Sequence, residues 1–190
     1  IHEYKGKFNP QVVRSIGNII GLEEGDWLLD PFCGSGTTLL EAAHNGWNAV
    51  GVEINPLAVG VSDAKIHSTN IPINKLETIR DKVTDELTSQ YSEFDLDTAF
   101  KQSEIESLTS DKWFDDIHGY EYVKDWFTES VLVQLWSILE QIEQVKRDEI
   151  QLILKILLSD LLRDVSLQDS GDLRTRRDDS APDNVPVVPK

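Results

Sequence analysis

Hydrophobic positions along the 190-residue chain change period several times, and the changes lay out its elements. Val13, Ile16 and Ile20 form one helical stripe over residues 10–20. Asn9 suits the N-cap, Pro10 the first helical position and Gly21 the C-terminal stop. Taken alone this is an ordinary packing helix. Trp27-Leu28-Leu29-Asp30 is a short, continuous apolar run ending in an acid, the mark of a buried strand. A helix follows from Thr37 to Asn45, with Thr38 and Glu41 at capping-box spacing and Gly46 as its stop. Trp47 to Glu53, centred on Ala49-Val50-Gly51-Val52, repeats the buried-strand pattern. Two such strands near 27–30 and 48–53, joined by a short helix, imply a right-handed parallel crossover.

Downstream the period becomes helical. Asn55-Pro56 repeats the cap-plus-proline signature and predicts a helix to about His67. Leu76, Ile79, Val83 and Leu87 predict another after Asn74. Residues 91–110 are acidic, lack a period and read as a loop. Helical spacing returns from Asp111, with Phe127, Val131, Leu135, Ile138, Ile142 and Val145 on one face. A turn is expected at Arg147-Asp148, then a buried helix over 150–165. Beyond Val165 the pattern fails; Pro182, Pro186 and Pro189 suit an extended linker. The resulting segmentation is an α/β part (1–90), an acidic loop (91–110), a helical insertion or subdomain (111–166) and a polar tail or linker (167–190).

Composition narrows the function classes. Formal charge is −16, and residues 61–170 hold 23 of the 34 acidic groups. Such a surface repels nucleic acid, so any contact with DNA must be local or supplied by another segment. Trp113, Phe114, Trp126, Phe127 and Trp136 sit in acidic helical sequence and read as core packing, not as a base-stacking platform. Arg174, Arg176 and Arg177 read as a solvated tail. No apolar run approaches the roughly 20 residues of a membrane span, and the chain reads as cytoplasmic with no membrane partner. One cysteine, Cys33, excludes a disulfide framework and a cysteine-rich zinc site. His2, His44, His67 and His118 show no metal-ligand spacing, so no metal is expected. The sequence contains no Met, and Ile1 reads as something other than a natural start.

Chemistry concentrates at Asp30-Pro31-Phe32-Cys33-Gly34-Ser35-Gly36-Thr37-Thr38, between the first strand and its helix. Gly34 and Gly36 permit backbone conformations closed to other residues and let a ligand approach the main chain. Amides opening the next helix lack intrahelical partners and can bind a carboxylate or phosphate. Glu53 lies 23 residues after Asp30, at the end of the second strand, where a carboxylate can accept hydrogen bonds from ribose hydroxyls. Together these residues point to a nucleoside-containing ligand.

Asp30 to Thr38 with Leu40-Glu41-Ala42, then Gly51-Val52-Glu53-Ile54-Asn55-Pro56-Leu57-Ala58, resembles the S-adenosylmethionine-binding part of the DNA amino-methyltransferases, which make N6-methyladenine or N4-methylcytosine. Lys7-Phe8-Asn9-Pro10 resembles the segment that packs beside the methionine end of the cofactor. The resemblance is strong over residues 1–60 and weak around Leu161 to Ser166. It implies a Rossmann-like methyltransferase fold, incomplete here, followed by a mainly helical region. It also implies a cofactor site of Lys7, Phe8, Asp30, Pro31, Phe32, Cys33, Gly34, Gly36, Thr37, Glu53 and Ile54. In that site Asp30 would receive the ammonium, the amides near Thr37 would face the carboxylate, Glu53 would hold the ribose and Ile54 would pack on adenine. Cys33 would be a small loop residue, not a nucleophile.

The family orients its target amine with Asp, Asn or Ser followed by two prolines and an aromatic, which align the flipped base for in-line transfer. None of the seven prolines here has a proline neighbour. The expectation is therefore the cofactor-binding front part of a longer DNA methyltransferase, with no catalytic residue in this chain and a catalytic partner segment or chain elsewhere. A similar loop occurs in tRNA guanosine-N2 methyltransferases, which keeps an RNA substrate open. A non-catalytic subunit retaining the cofactor fold, with the acidic helices as a partner surface, is the third reading.

Overall fold

The computed structural model describes residues 8–90 and 120–168. Lys7, the acidic stretch 91–110, Trp113, Phe114 and the arginines of the tail lie outside the described residues. Among the described residues the elements run α1 (Pro10–Ile20), β1 (Trp27–Asp30), α2 (Thr37–His44), β2 (Asn48–Gly51), α3 (Pro56–Ser68), α4 (Ile73–Gln90), α5 (Tyr120–Val123), α6 (Glu129–Glu143) and α7 (Asp148–Leu161). This is a mixed α/β architecture, mostly helical. The chain divides into two compact units: one gathers residues up to Ile73 together with Lys146–Leu157, the other Asn74–Val145 and residues from Leu158 onward.

In the first unit β1 and β2 pair in parallel, with Trp27 opposite Asn48, Leu29 opposite Val50 and Asp30 opposite Gly51. Beyond β2, the Val52 amide still donates to the Asp30 carbonyl at 2.9 Å before the chain turns at Glu53. The strand pattern thus ends at Gly51 while its pairing carries one residue further. Asn9 caps α1 by accepting from the Gln11 amide at 2.9 Å, and Gly21 closes it in the left-handed region at φ 74°. Asn55 caps α3 by accepting from the Leu57 amide at 3.0 Å.

Two packing expectations are corrected. Only Val13 of the apolar stripe on α1 is buried, and Ile16 and Ile20 are exposed. α1 instead seats at Gly17, where an added Cβ would lie 2.7 and 2.9 Å from ring atoms of Trp47. No capping box forms on α2. Gly36 is its N-cap and makes no side-chain cap bond, while Glu41 accepts from Arg14 Nη2 at 2.9 Å and Nε at 3.2 Å. Thr38 sits inside the helix, two residues past the cap position that Gly36 holds. Glu41 is thereby free to tie α2 to α1.

In the second unit, Thr128 caps α6 by accepting from the Val131 amide at 3.3 Å. Buried positions on α6 include Val131, Leu132, Val133 and Leu135, so its first half is enclosed on more than the one face the spacing predicts. Val131, Leu135 and Val165 form a core cluster with Phe127, Ile138 and Leu158 against it. The helical spacing expected from Asp111 is divided after Val123 into α5 and α6, and α7 ends at Leu161 instead of Val165.

Candidate functional site

The loop between β1 and α2 is tied to the ends of both strands. Asp30 Oδ1 accepts from the Phe32 amide at 3.0 Å, bending the chain immediately after the strand. The Cys33 amide donates to the Val52 carbonyl at 3.0 Å, and the Gly36 amide donates to the Cys33 carbonyl at 2.8 Å. Gly34 and Gly36 take φ of 53° and 75°, a region costly to side-chain-bearing residues.

Gly36 has a second reason to be glycine. A Cβ there would strike Ser62 Oγ and lie 2.8 Å from the Ser62 Cβ and 3.1 Å from its Cα. At this glycine the close approach on the Cβ side is made by α3. Gly51 plays the matching part on β2, where a Cβ would meet Cys33 Sγ at 2.7 Å and Leu39 Cδ1 at 2.8 Å.

Glu53 organises the far side of the loop. Its Oε2 accepts from the Gly34 amide at 3.0 Å, and its Oε1 accepts from the Ile54 and Asn55 amides at 2.8 Å each. Three backbone donors thus converge on one carboxylate, which locks the end of β2 to the glycine loop. Of its about four acceptor positions, these amides leave one to receive an added hydroxyl.

A cavity of about 330 Å³ opens on this loop, within the size range of small-molecule sites. Asp30, Phe32, Cys33 and Gly34 line one part of it; Ser35, Thr37, Thr38 and Phe8 line the rest. Thr37 and Thr38 open α2 and line the cavity, so the positive end of a helix whose cap provides no side-chain acceptor borders it. Phe32 is 87% exposed and Ile54 is 96% exposed. Burial, followed by the carboxylates of Asp30 and Glu53, pushes the Cys33 thiol up, away from the thiolate a nucleophile needs.

The structure thus gathers Phe8, Asp30, Phe32, Cys33, Gly34 and Thr37 on one cavity, with Gly36 packed behind it and Glu53 bonded to its floor. Pro31 and Ile54 are exposed beside this assembly. Spacing did not single out Gly51, Ser62 or Lys65. Ser62 and Lys65 reach the loop across 26 and 30 residues of chain, a distance no local pattern signals. Among the described residues no group of three metal-ligating side chains occurs, and no helix is long and apolar enough to cross a membrane.

Residues 5–63 match the N6/N4 family of DNA methylases. This segment belongs to that family. The match begins beside Phe8 and ends in α3, so it encloses the cavity loop and Glu53. The type II methyltransferase M.MjaII of Methanocaldococcus jannaschii is 39% identical over 71 residues, covering 37% of this chain and 13% of that protein. The type II methyltransferase M.BsoBI of Geobacillus stearothermophilus is 27% identical over 150 residues, covering 76% of this chain and 29% of its own. A tRNA (guanine(10)-N2)-dimethyltransferase of Methanothermobacter thermautotrophicus is 42% identical over 52 residues, 27% of this chain and 16% of that enzyme. The chain spans less than a third of the length of each of these relatives. No solved structure matches it.

Proposed function

We propose that this chain carries the S-adenosylmethionine site of a Rossmann-like DNA methyltransferase that modifies an exocyclic base amine, N6 of adenine or N4 of cytosine. The observation that carries the reading is one cavity that combines a glycine loop, an uncapped helix start and an acidic strand end. The residues fit the donor's chemistry. The first-turn amides of α2 suit its carboxylate, Asp30 its ammonium, Glu53 its ribose, and exposed Ile54 and Phe32 its apolar surfaces. When bound, the cofactor supplies a methyl group activated on a sulfonium. The chain's own residues fix the loop, present the helix dipole and hold Cys33 as a thiol. DNA is preferred to RNA because the likeness to a type II methyltransferase runs over 150 residues, against 52 for the tRNA enzyme.

The acceptor-orienting residues lie outside these 190 residues on this reading, since the double-proline motif is absent from them. The sheet supports the same view. Trp27, Leu29, Val50 and Val52 lie on one face of the two strands and remain exposed, Trp27 by 69% and Leu29 by 64%. Parallel sheets are covered on both faces in stable proteins, so a further layer from the rest of the methyltransferase, in the same chain or a partner, belongs here. Calorimetric titration with S-adenosylmethionine and S-adenosylhomocysteine tests the reading. One saturable site is expected for each; no heat from a chain with an intact far-UV circular dichroism spectrum contradicts it.

A further inference from the structure

We infer that Lys65, on α3, is a positioning residue for the amino-acid end of the cofactor, acting through the Ser35–Gly36 peptide; this rests on the reading that the loop binds S-adenosylmethionine. The Lys65 ammonium donates to the Ser35 carbonyl at 2.7 Å and to Ser35 Oγ at 3.0 Å. Ser35 is 3% exposed, so these are charge-assisted bonds to a buried residue. A trans peptide is planar, with its carbonyl and amide pointing in opposite directions. The amide of this same peptide belongs to Gly36 and donates to the Cys33 carbonyl at 2.8 Å. Both ends of one peptide unit are therefore gripped, the carbonyl from α3 and the amide from within the loop.

That peptide immediately precedes the cap of α2. Gly36 sits at φ 75° and ψ 28°, and its carbonyl accepts the first helical bond, from Leu40 at 3.0 Å. Fixing the Ser35–Gly36 plane thus fixes the direction in which α2 starts and the position of Thr37 and Thr38, which line the cavity. Ser62, one turn before Lys65 on α3, sits against the other side of Gly36. Helix α3 accordingly sets the loop from two successive turns. Lys65 also places a cation beside the residues expected to receive a carboxylate.

The test compares the wild-type chain with Lys65→Met, Lys65→Gln and Lys65→Arg. Two ligands are used: S-adenosylhomocysteine, and 5′-methylthioadenosine, which lacks the amino-acid end. Losing the charge-assisted hydrogen bonds that order the loop is expected to weaken S-adenosylhomocysteine binding about tenfold or more in the Met and Gln variants. Affinity for 5′-methylthioadenosine stays within about twofold, and Arg restores most of the loss, because only the amino-acid end depends on the gripped peptide. Unchanged S-adenosylhomocysteine affinity in Lys65→Met overturns the inference and leaves the cofactor site standing. Equal weakening for both ligands, or failure of all three variants to fold, makes Lys65 a structural residue and also overturns it. A folded wild-type chain that binds neither ligand overturns the cofactor reading and the inference together.

Discussion

Replacing Gly36 by alanine separates two costs that a glycine loop ordinarily confounds. The first is conformational: at φ 75° an alanine loses roughly 1–2 kcal/mol relative to an unstrained residue. The second is steric, because the new Cβ would strike Ser62 Oγ and lie 3.1 Å from the Ser62 Cα, a backbone atom that cannot rotate away. Overpacking of this kind costs roughly 1–3 kcal/mol. Gly21 provides the control: its φ is 74° and no atom of the described residues lies within 4 Å of its added Cβ. Gly36→Ala should therefore lose about 1–3 kcal/mol more than Gly21→Ala, read as midpoint shifts in urea at constant slope. Ser62→Ala alone should be close to neutral, since the buried Ser62 hydroxyl has no hydrogen-bond partner among the described residues. Combined with Gly36→Ala it should recover part of the loss, a coupling of about 0.5 kcal/mol or more. Equal losses at Gly36 and Gly21, with no coupling to Ser62, would refute the claim that α3 packs against the loop at this position.

Other substitutions read other parts of the account. Arg14→Met leaves Glu41, whose side chain is 7% exposed, without its cation; a loss of roughly 1–3 kcal/mol in urea unfolding is expected. Glu53→Gln puts an amide NH₂ against a backbone donor of Gly34 or of Ile54 and Asn55. It should destabilise the chain by roughly 1–3 kcal/mol and abolish cofactor binding in the same titration. For Cys33 the folded thiol holds its proton to a higher pH than the unfolded one. The stability this contributes is present below the ordinary value of 9.0 and is lost as pH rises through the higher folded value. The advantage of wild type over Cys33→Ala should shrink as pH rises from 9.0 towards that higher value, and iodoacetamide should alkylate Cys33 at pH 8 more slowly than a free cysteine peptide. Gly17→Ala should push Trp47 from its seat on α1 and red-shift its fluorescence.

The strand-loop-helix of the first unit was legible because its signals are local: an apolar run, two glycines and a short helix that stops before Gly46, within about ten residues each. Asn9 and Asn55 cap their helices as their sequence context predicts, since an Asx side chain followed by proline leaves few alternatives. Illegible were the features set by contacts far apart in sequence. Glu41 matches a capping box in spacing, yet pairs with Arg14 across 27 residues. Gly36 carries the ligand-loop signature, yet its packing against Ser62 accounts for the missing side chain as fully as any ligand does. Ile16 and Ile20 keep helical spacing without being buried, because periodicity reports which residues share a face and not whether that face is covered. In the second unit the break after Val123 carries no local signal, since Asp125 to Thr128 contains neither glycine nor proline.

The central claim is that the cavity on the glycine loop binds the methyl donor between β1, α2 and Glu53. Backbone amide resonances of the isotopically labelled chain, followed as S-adenosylhomocysteine is added, test it most directly. The account predicts saturable shifts that are largest at Gly34, Gly36, Thr37, Thr38, Ile54 and Asn55. No shifts, or shifts centred on Tyr122 to Phe127 while the loop stays silent, would contradict it.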